Sequence, residues 1–285
     1  MSVPSALSGR AIWLASYPKS GNTWLRLALK SLQAGGAPIA LSELNDYARM
    51  AIGRHLFDGL LEADSGNMTD AEIEALRPAF HDLHFGTGEQ AELCKIHDCW
   101  FRTSDGRAVF DRHHTRAALY IVRDPRDVAV SWARFMAGSL DWSIRFLANS
   151  EARLGPDADR INSAIAQRIG GWSDHAASWI DESGLAPLVI RYEDMHADLP
   201  TTLALVAAHL GWDAPESAIA GAVAATRFER LADEEARSGF RGKPGSAERF
   251  FHTGRSGGWR DVLTPDQAAR VATDHHAMMH RFGYL

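Results

Sequence analysis

Residues 11–32, AIWLASYPKSGNTWLRLALKSL, constrain this chain more than any other stretch. Ala11 to Ser16 is a short apolar run rich in strand formers, and Tyr17 to Asn22 is a turn carrying Pro18, Lys19 and Gly21. From Thr23 the apolar residues Trp24, Leu25, Leu27, Ala28, Leu29 and Leu32 recur at helical spacing. A strand, a tight loop and a helix in that order aim the unpaired backbone N–H groups of the first helical turn into the loop. Lys19 adds a full positive charge, and Ser20 and Thr23 add hydroxyls, so the stretch reads as an anion cradle. The helix terminus alone contributes roughly 0.3–2 kcal/mol to holding an anion, which leaves much of the work to the lysine and the hydroxyls. Gly21 allows the sharp turn and the close approach of backbone to a bulky oxyanion that a Cβ would hinder.

The nucleoside-triphosphate loop G-x-x-x-x-G-K-[ST] is absent, and Lys19 precedes the glycine where the lysine of that motif follows it. With 285 residues, 46% of them hydrophobic and 23% charged, the chain has the composition of a soluble globular protein with a large core. No Ser/Gly tract, charge block or repeat period marks a linker, so a single α/β domain over residues 1–285 is expected, with variable insertions at about 35–92 and 138–171. The net charge of −6 argues against a broad nucleic-acid surface and confines any polyanion site to a local basic pocket. No basic flank precedes a sustained apolar core and no run is long enough to span a bilayer, which predicts a cytoplasmic protein without a membrane partner. Cys94 and Cys99 fit that compartment: on an extended segment at about 3.3 Å per residue they lie too far apart for a disulfide. With His97 between them they match no standard zinc spacing, and no metal is expected.

Along the chain, helical stretches are expected around Leu41 to Leu61 and Asp70 to Phe80, the second opened by Thr69 as N-cap with Glu72 completing a capping box. Tyr47, Met50, Phe57 and Leu60 then lie on helical faces as core. Glu92 to His97, ELCKIH, reads as a strand whose end brings out Lys95 and His97 on the side where ligands gather in an open α/β sheet. Ala117 to Val122 is a continuous apolar run of the kind that makes a buried parallel strand. It delivers Arg123 at its end, and Pro125 starts a helix that carries Val128, Val130, Trp132 and Phe135, with Ser131 about two turns along. Gly138 to Gly171 has mixed periodicity and a Gly-Pro break at 155–156, consistent with an active-site loop. Leu188 to Arg191 is a further strand, Leu199 to Leu210 a helix stopped by Gly211, SGFRGKPGSA at 238–247 a flap, and Thr264 to about Met279 a helix.

These motifs, in this order, resemble the cytosolic-type sulfotransferases, which use 3′-phosphoadenosine 5′-phosphosulfate (PAPS). YPKSGNTW resembles their 5′-phosphosulfate loop, CKIH their K-[ST]-H segment with Ile96 in place of the small hydroxyl residue, and RDPRDVAVS their R-x-P-R-D-x-x-x-S signature. GWSDHAASW at 171–179 follows a family pattern one residue short, with His175 read as packing; LVIRYEDM and TRFERL resemble the segments that reach the adenine. The resemblance implies a P-loop-kinase-like α/β fold with a central, mostly parallel five-stranded sheet flanked by helices. It also implies sulfonate transfer to an acceptor hydroxyl or amine, leaving adenosine 3′,5′-bisphosphate (PAP). His97 becomes the general base, for which an imidazole's ordinary pKa of about 6.5 is suited, and Lys19 and Lys95 stabilise the transferring group. The donor falls to Lys19, Ser20, Gly21, Asn22, Thr23 and Trp24, to Arg123 and Ser131 for the 3′-phosphate, and to Tyr192, Thr226 and Phe228 for the adenine, with Trp24 and Phe228 sandwiching the ring.

In FFHTGRSGGW, His252 and Thr253 stand at the R-K positions of the family's R-K-G-x-x-G-D-W, Gly254 is kept, and Gly258 replaces the aspartate. One expected guanidinium is therefore missing, with Arg255, Arg249, Arg241 and Lys243 as stand-ins between which the sequence does not choose. The dimerisation stretch falls at Arg260 to Ala269, where Pro265 and Ala269 replace the family's valine and glutamate. The alternatives are a protein that binds adenosine bisphosphate without turnover and, more remotely, a P-loop kinase.

Overall fold

Alternating apolar residues with β-branched and aromatic side chains favour extended backbone, and a run buried on both faces can sit only inside a sheet. AIWLAS meets that condition: all six residues of β1 (Ala11–Ser16) are buried. A computed structural model describes residues 10–44, 49–50, 53–86, 91–155, 164–240, 242 and 248–285. After β1 come α1 (Asn22–Gln33), β2 (Arg49–Met50), α2 (Arg54–Leu61), α3 (Asp70–Gly86), β3 (Glu92–Ile96) and β4 (Thr115–Val122). Next are α4 (Pro125–Met136), α5 (Leu140–Leu147), β5 (Arg153–Leu154), β6 (Gln167–Arg168), α6 (Trp172–Ala177) and β7 (Leu188–Arg191). The C-terminal part is helical: α7 (Tyr192–Ala197), α8 (Leu199–Leu210), α9 (Glu216–Ala225), α10 (Phe228–Ser238), α11 (Pro265–Asp274) and α12 (His276–Arg281).

The described residues divide into two compact units, one drawn from 1–17, 49–120 and 150–187, the other from 18–48, 121–149 and 188–285. The first unit holds the parallel central sheet, in the order β2-β3-β1-β4. The sheet is flanked by helices; within the unit it has four strands where five are expected, and β7 belongs to the second unit. β1 and β3 pair in parallel from Ala11 opposite Glu92 to Ala15 opposite Ile96, a register that carries both strands to their ends together. Trp13 of β1 is the core's centre. Its indole donates to Thr115 Oγ1 at 2.8 Å, and its ring meets Phe85 and Phe110 edge to face. β5 and β6 form a separate antiparallel pair.

In the second unit, α1 packs on α9, and α4 packs on α5 through Trp132, Trp142 and Phe146. Leu27, Ile39, Leu41, Leu44 and Leu231 make a buried cluster bordered by Trp24, Phe240 and Phe251.

Most expected elements stand within a residue or two of their sequence bounds, and the capping chemistry explains several. Thr69 and Glu72 exchange the two bonds of a capping box, with the Glu72 N–H donating to Thr69 Oγ1 and Thr69 N–H to Glu72 Oε2. Gly211 stops α8 at φ 67°. The helical stretch expected around Leu41 to Leu61 is interrupted by a strand. Among the described residues a 3₁₀ turn at Leu41–Glu43, Leu44 and α2 are helical there, while Arg49 and Met50 pair in parallel with Cys94 and Lys95 of β3. Met50 therefore sits on a strand, while Tyr47, Arg241 and Lys243 lie outside the described residues, as does most of the expected flap. The C-terminal helix breaks at His275, two residues after the Thr273 hydroxyl donates back to Ala269 O, a bond that competes with the helical ladder. Cys94 and Cys99 are both buried. Among the described residues no helix is long and apolar enough to cross a membrane, and no cluster of three or more His, Cys, Asp or Glu forms a metal site.

Candidate active site

The second unit contains the loop and most of the residues expected at the donor. Lys19 has φ 69°, a left-handed conformation uncommon for a residue with a Cβ, and Gly21 follows at φ 104°. This double reversal turns the chain into α1, whose first turn has no acidic residue and no side-chain cap. An anion can approach such an uncapped helix start, as the expected donor site requires. A Cβ on Gly21 would lie 2.6 Å from the Tyr192 ring, so the loop's close approach to that ring depends on glycine. Ser20 is fully buried and its hydroxyl finds no partner among the described residues. A buried hydroxyl without a bond is costly, and a phosphate oxygen would satisfy it.

Arg123 emerges from the end of β4 and binds the loop from the other side. Its Nη1 donates to Lys19 O at 3.3 Å, its Nη2 to Arg255 O at 2.9 Å, and its guanidinium lies 4.1 Å from the Tyr192 ring centroid. Its buried Nε makes no hydrogen bond among the described residues. Asp127, one turn along α4, accepts from the N–H of Gly257 at 2.7 Å and of Trp259 at 2.9 Å. Burial raises its carboxyl pKa, against the opposing pull of Arg123 and these two N–H groups. The segment that resembles R-K-G is thereby strapped to the helix carrying Ser131, which is half-buried.

The expected adenine side is also gathered here. Trp24 Nε1 donates to Thr226 O at 3.1 Å and its ring meets Tyr192 edge to face at 5.7 Å. Phe228 lies so close to Gly254 that a Cβ there would come within 2.3 Å of the ring. Thr226 spends its own hydroxyl on Ala222 O. His252 and Thr253 are exposed. Partial desolvation and the charges of Arg134 and Arg249 lower the His252 pKa, so these two arginines, of which only Arg249 was named from sequence, stand near the position of the missing guanidinium.

The first unit holds Lys95 and His97, both half-buried, on β3 and just past its end. His97 Nδ1 lies 2.8 Å from Ser16 O. A carbonyl only accepts, so Nδ1 carries the proton and Nε2 the lone pair, which is the tautomer a base needs. The backbone of His97 is pinned from both sides: its N–H donates to Gln167 Oε1 at 3.2 Å and its carbonyl accepts from His175 Nε2 at 3.1 Å. His175 is more than packing. It is fully buried, accepts from the Tyr120 hydroxyl at 2.9 Å, and burial pushes its pKa down to about 4, which keeps it in the neutral form this pair of bonds requires. Asp98 completes the support: its carboxylate takes two buried bonds from Arg77 at 2.8 and 3.0 Å and one from Arg168 N–H. Asp127 is the second aspartate of the RDPRDVAVS signature, whereas Arg77, Asp98, Gln167 and Glu235 are not signalled by any local motif. Their roles depend on contacts across distant stretches.

A family model described as a sulfotransferase domain matches residues 113–283. Flavonol 3-sulfotransferase of Flaveria bidentis is 22% identical over 279 residues, covering 91% of this chain and 78% of that protein. Sulfotransferase 1A1 of Rattus norvegicus is 23% identical over 269 residues, covering 90% and 80%. Among solved structures, mouse sulfotransferase SULT7A1 complexed with PAP is similar at TM-score 0.60 and 19% identity, over 95% of this chain and 84% of that one. Retinol dehydratase in complex with androsterone and the inactive cofactor PAP is similar at TM-score 0.59 and 18% identity, over 97% and 82%. At these identities the structural likeness speaks for the fold.

Proposed function

The chain belongs to the sulfotransferase family, and from that premise we propose that it moves a sulfonate group from PAPS to the hydroxyl or amine of a small-molecule acceptor, with His97 as general base. The reading is supported most by the second unit, where a strained lysine loop, an unsatisfied buried hydroxyl and a guanidinium with an unused Nε converge on one another. That donor set suits a phosphosulfate and a second phosphate. PAP in two solved relatives agrees with it.

When bound, PAPS supplies an activated sulfonate and PAP as the leaving group. Residues 19–24 hold its 5′ end through Lys19, the Ser20 and Thr23 hydroxyls and the first-turn N–H groups of α1. Arg123 and Ser131 hold the 3′-phosphate, while Tyr192, Thr226, Trp24 and Phe228 hold the adenine, with Gly254 allowing Phe228 its place. His252 and Thr253 border the same phosphate without supplying the usual guanidinium, a part that falls to Arg134 or Arg249. Lys19 stabilises negative charge on the bridging oxygen and Lys95 charge on the sulfonate oxygens. His97 receives the acceptor's proton at Nε2. The lysines and Arg123 offset the phosphate charge, so this reading includes no metal. The acceptor is a small molecule, in keeping with the androsterone in retinol dehydratase.

The test is PAP formation from PAPS with hydroxyl and amine acceptors, in the wild type and His97→Ala. The variant is expected to turn over about 10²–10⁴-fold more slowly while binding PAP within twofold of wild type. Wild-type turnover in the variant would remove His97 from the mechanism.

A further inference from the structure

The ε-ammonium of Lys19 lies 4.2 Å from the centroid of the Phe135 ring and 4.1 Å from that of Phe250. The two rings meet edge to face, their centroids 6.3 Å apart at 82°. A ring face attracts a cation through its quadrupole and orients it without lending it a countercharge. That suits a lysine that must keep its full charge for an anionic group.

Each ring is itself held. Phe135 is on the last turn of α4, stacked on Trp132 at 5.7 Å. Phe250 packs on Phe240 at 4.8 Å, and its backbone N–H donates to Glu235 Oε1 at 2.7 Å. The next N–H, of Phe251, donates to Glu235 Oε2 at 2.8 Å. Glu235 is only 8% exposed. It spends both carboxylate oxygens on two consecutive backbone groups, which fixes the chain that presents Phe250. Glu235 lies seven positions after Phe228 on α10, two turns along the same face.

We propose that Phe135 and Phe250, the latter set in place by Glu235, are positioning residues that aim the Lys19 ammonium into the cradle. One helix, α10, then serves both the adenine side through Phe228 and the lysine through Glu235. The proposal rests on the donor reading above.

It is tested in the full-length chain with Phe250→Leu, Phe250→Tyr and Glu235→Gln, measuring kcat for PAP formation, the Kd of PAP and the melting temperature. Phe250→Leu is expected to lower kcat about five- to thirtyfold with PAP affinity within twofold, and Phe250→Tyr, which keeps the ring, to stay within twofold of wild type. Glu235→Gln falls between them. A second readout needs no turnover: with ¹³Cε-labelled lysine, the Lys19 ε-methylene protons, assigned by their loss in Lys19→Arg, are expected upfield from ring currents in the wild type and in Phe250→Tyr. Lys19 protons at the ordinary lysine position in the wild type, or an unchanged kcat in Phe250→Leu, overturn the proposal. Absence of sulfonate transfer by the wild type would instead overturn the donor reading, and the resonance measurement would still decide the clamp.

Discussion

A guanidinium and an ammonium carry the same charge, but only the guanidinium presents paired donors in a fixed plane. Arg123 uses two of its nitrogens on Lys19 O and Arg255 O and lays its plane 4.1 Å from the Tyr192 ring centroid, leaving the buried Nε for a ligand. Arg123→Lys would keep the charge and lose this fork. It is expected to weaken PAP binding about tenfold or more while changing adenosine 5′-phosphate binding by less than threefold, as read by calorimetry. Equal losses for both ligands would contradict a role at the 3′-phosphate. Lys19, Arg123 and His97 were legible in the sequence because each sits at or just past the end of a strand, where position gives a polar residue meaning. Asp98 and Arg77 were not: 21 positions apart, they meet only because α3 lies against the sheet.

At the scale of elements, β1, β3 and β4 are readable from their apolar runs, α4 from its proline start and α8 from its glycine stop. β2 was not, since two residues carry no period and only pairing with β3 makes them a strand. The break between α11 and α12 was hidden for a similar reason, a threonine hydroxyl turning back on its own helix. His175 shows how an element's packing becomes a pH dependence. Its folded pKa of about 4 lies below the unfolded value of about 6.5. Between those values the unfolded chain binds a proton that the native chain does not, so stability falls as the pH falls through that window, by on the order of 3 kcal/mol in total. Urea unfolding at pH 7, 5.5 and 4.5 should show a shallower pH dependence for His175→Asn than for wild type. Parallel slopes would contradict a neutral, buried His175.

For the whole molecule, the net charge of −6 places any affinity for a polyanion in a local site. Within the second unit the cations Lys19 and Arg123 stand beside Ser20, Trp24, Tyr192 and Thr226, with Trp24 and Thr226 lying 202 positions apart. Motif order made that gathering foreseeable. What replaces the family's arginine was not, because His252 lies near Arg134 through folding and not through sequence. The measurement that bears most directly on the account is calorimetric titration of the full chain with PAP, adenosine 5′-phosphate and ATP with Mg²⁺. The account predicts tight PAP binding, at least tenfold weaker binding of adenosine 5′-phosphate, and weaker binding still of ATP. ATP binding as tight as PAP, or no preference for the 3′-phosphate, would contradict it.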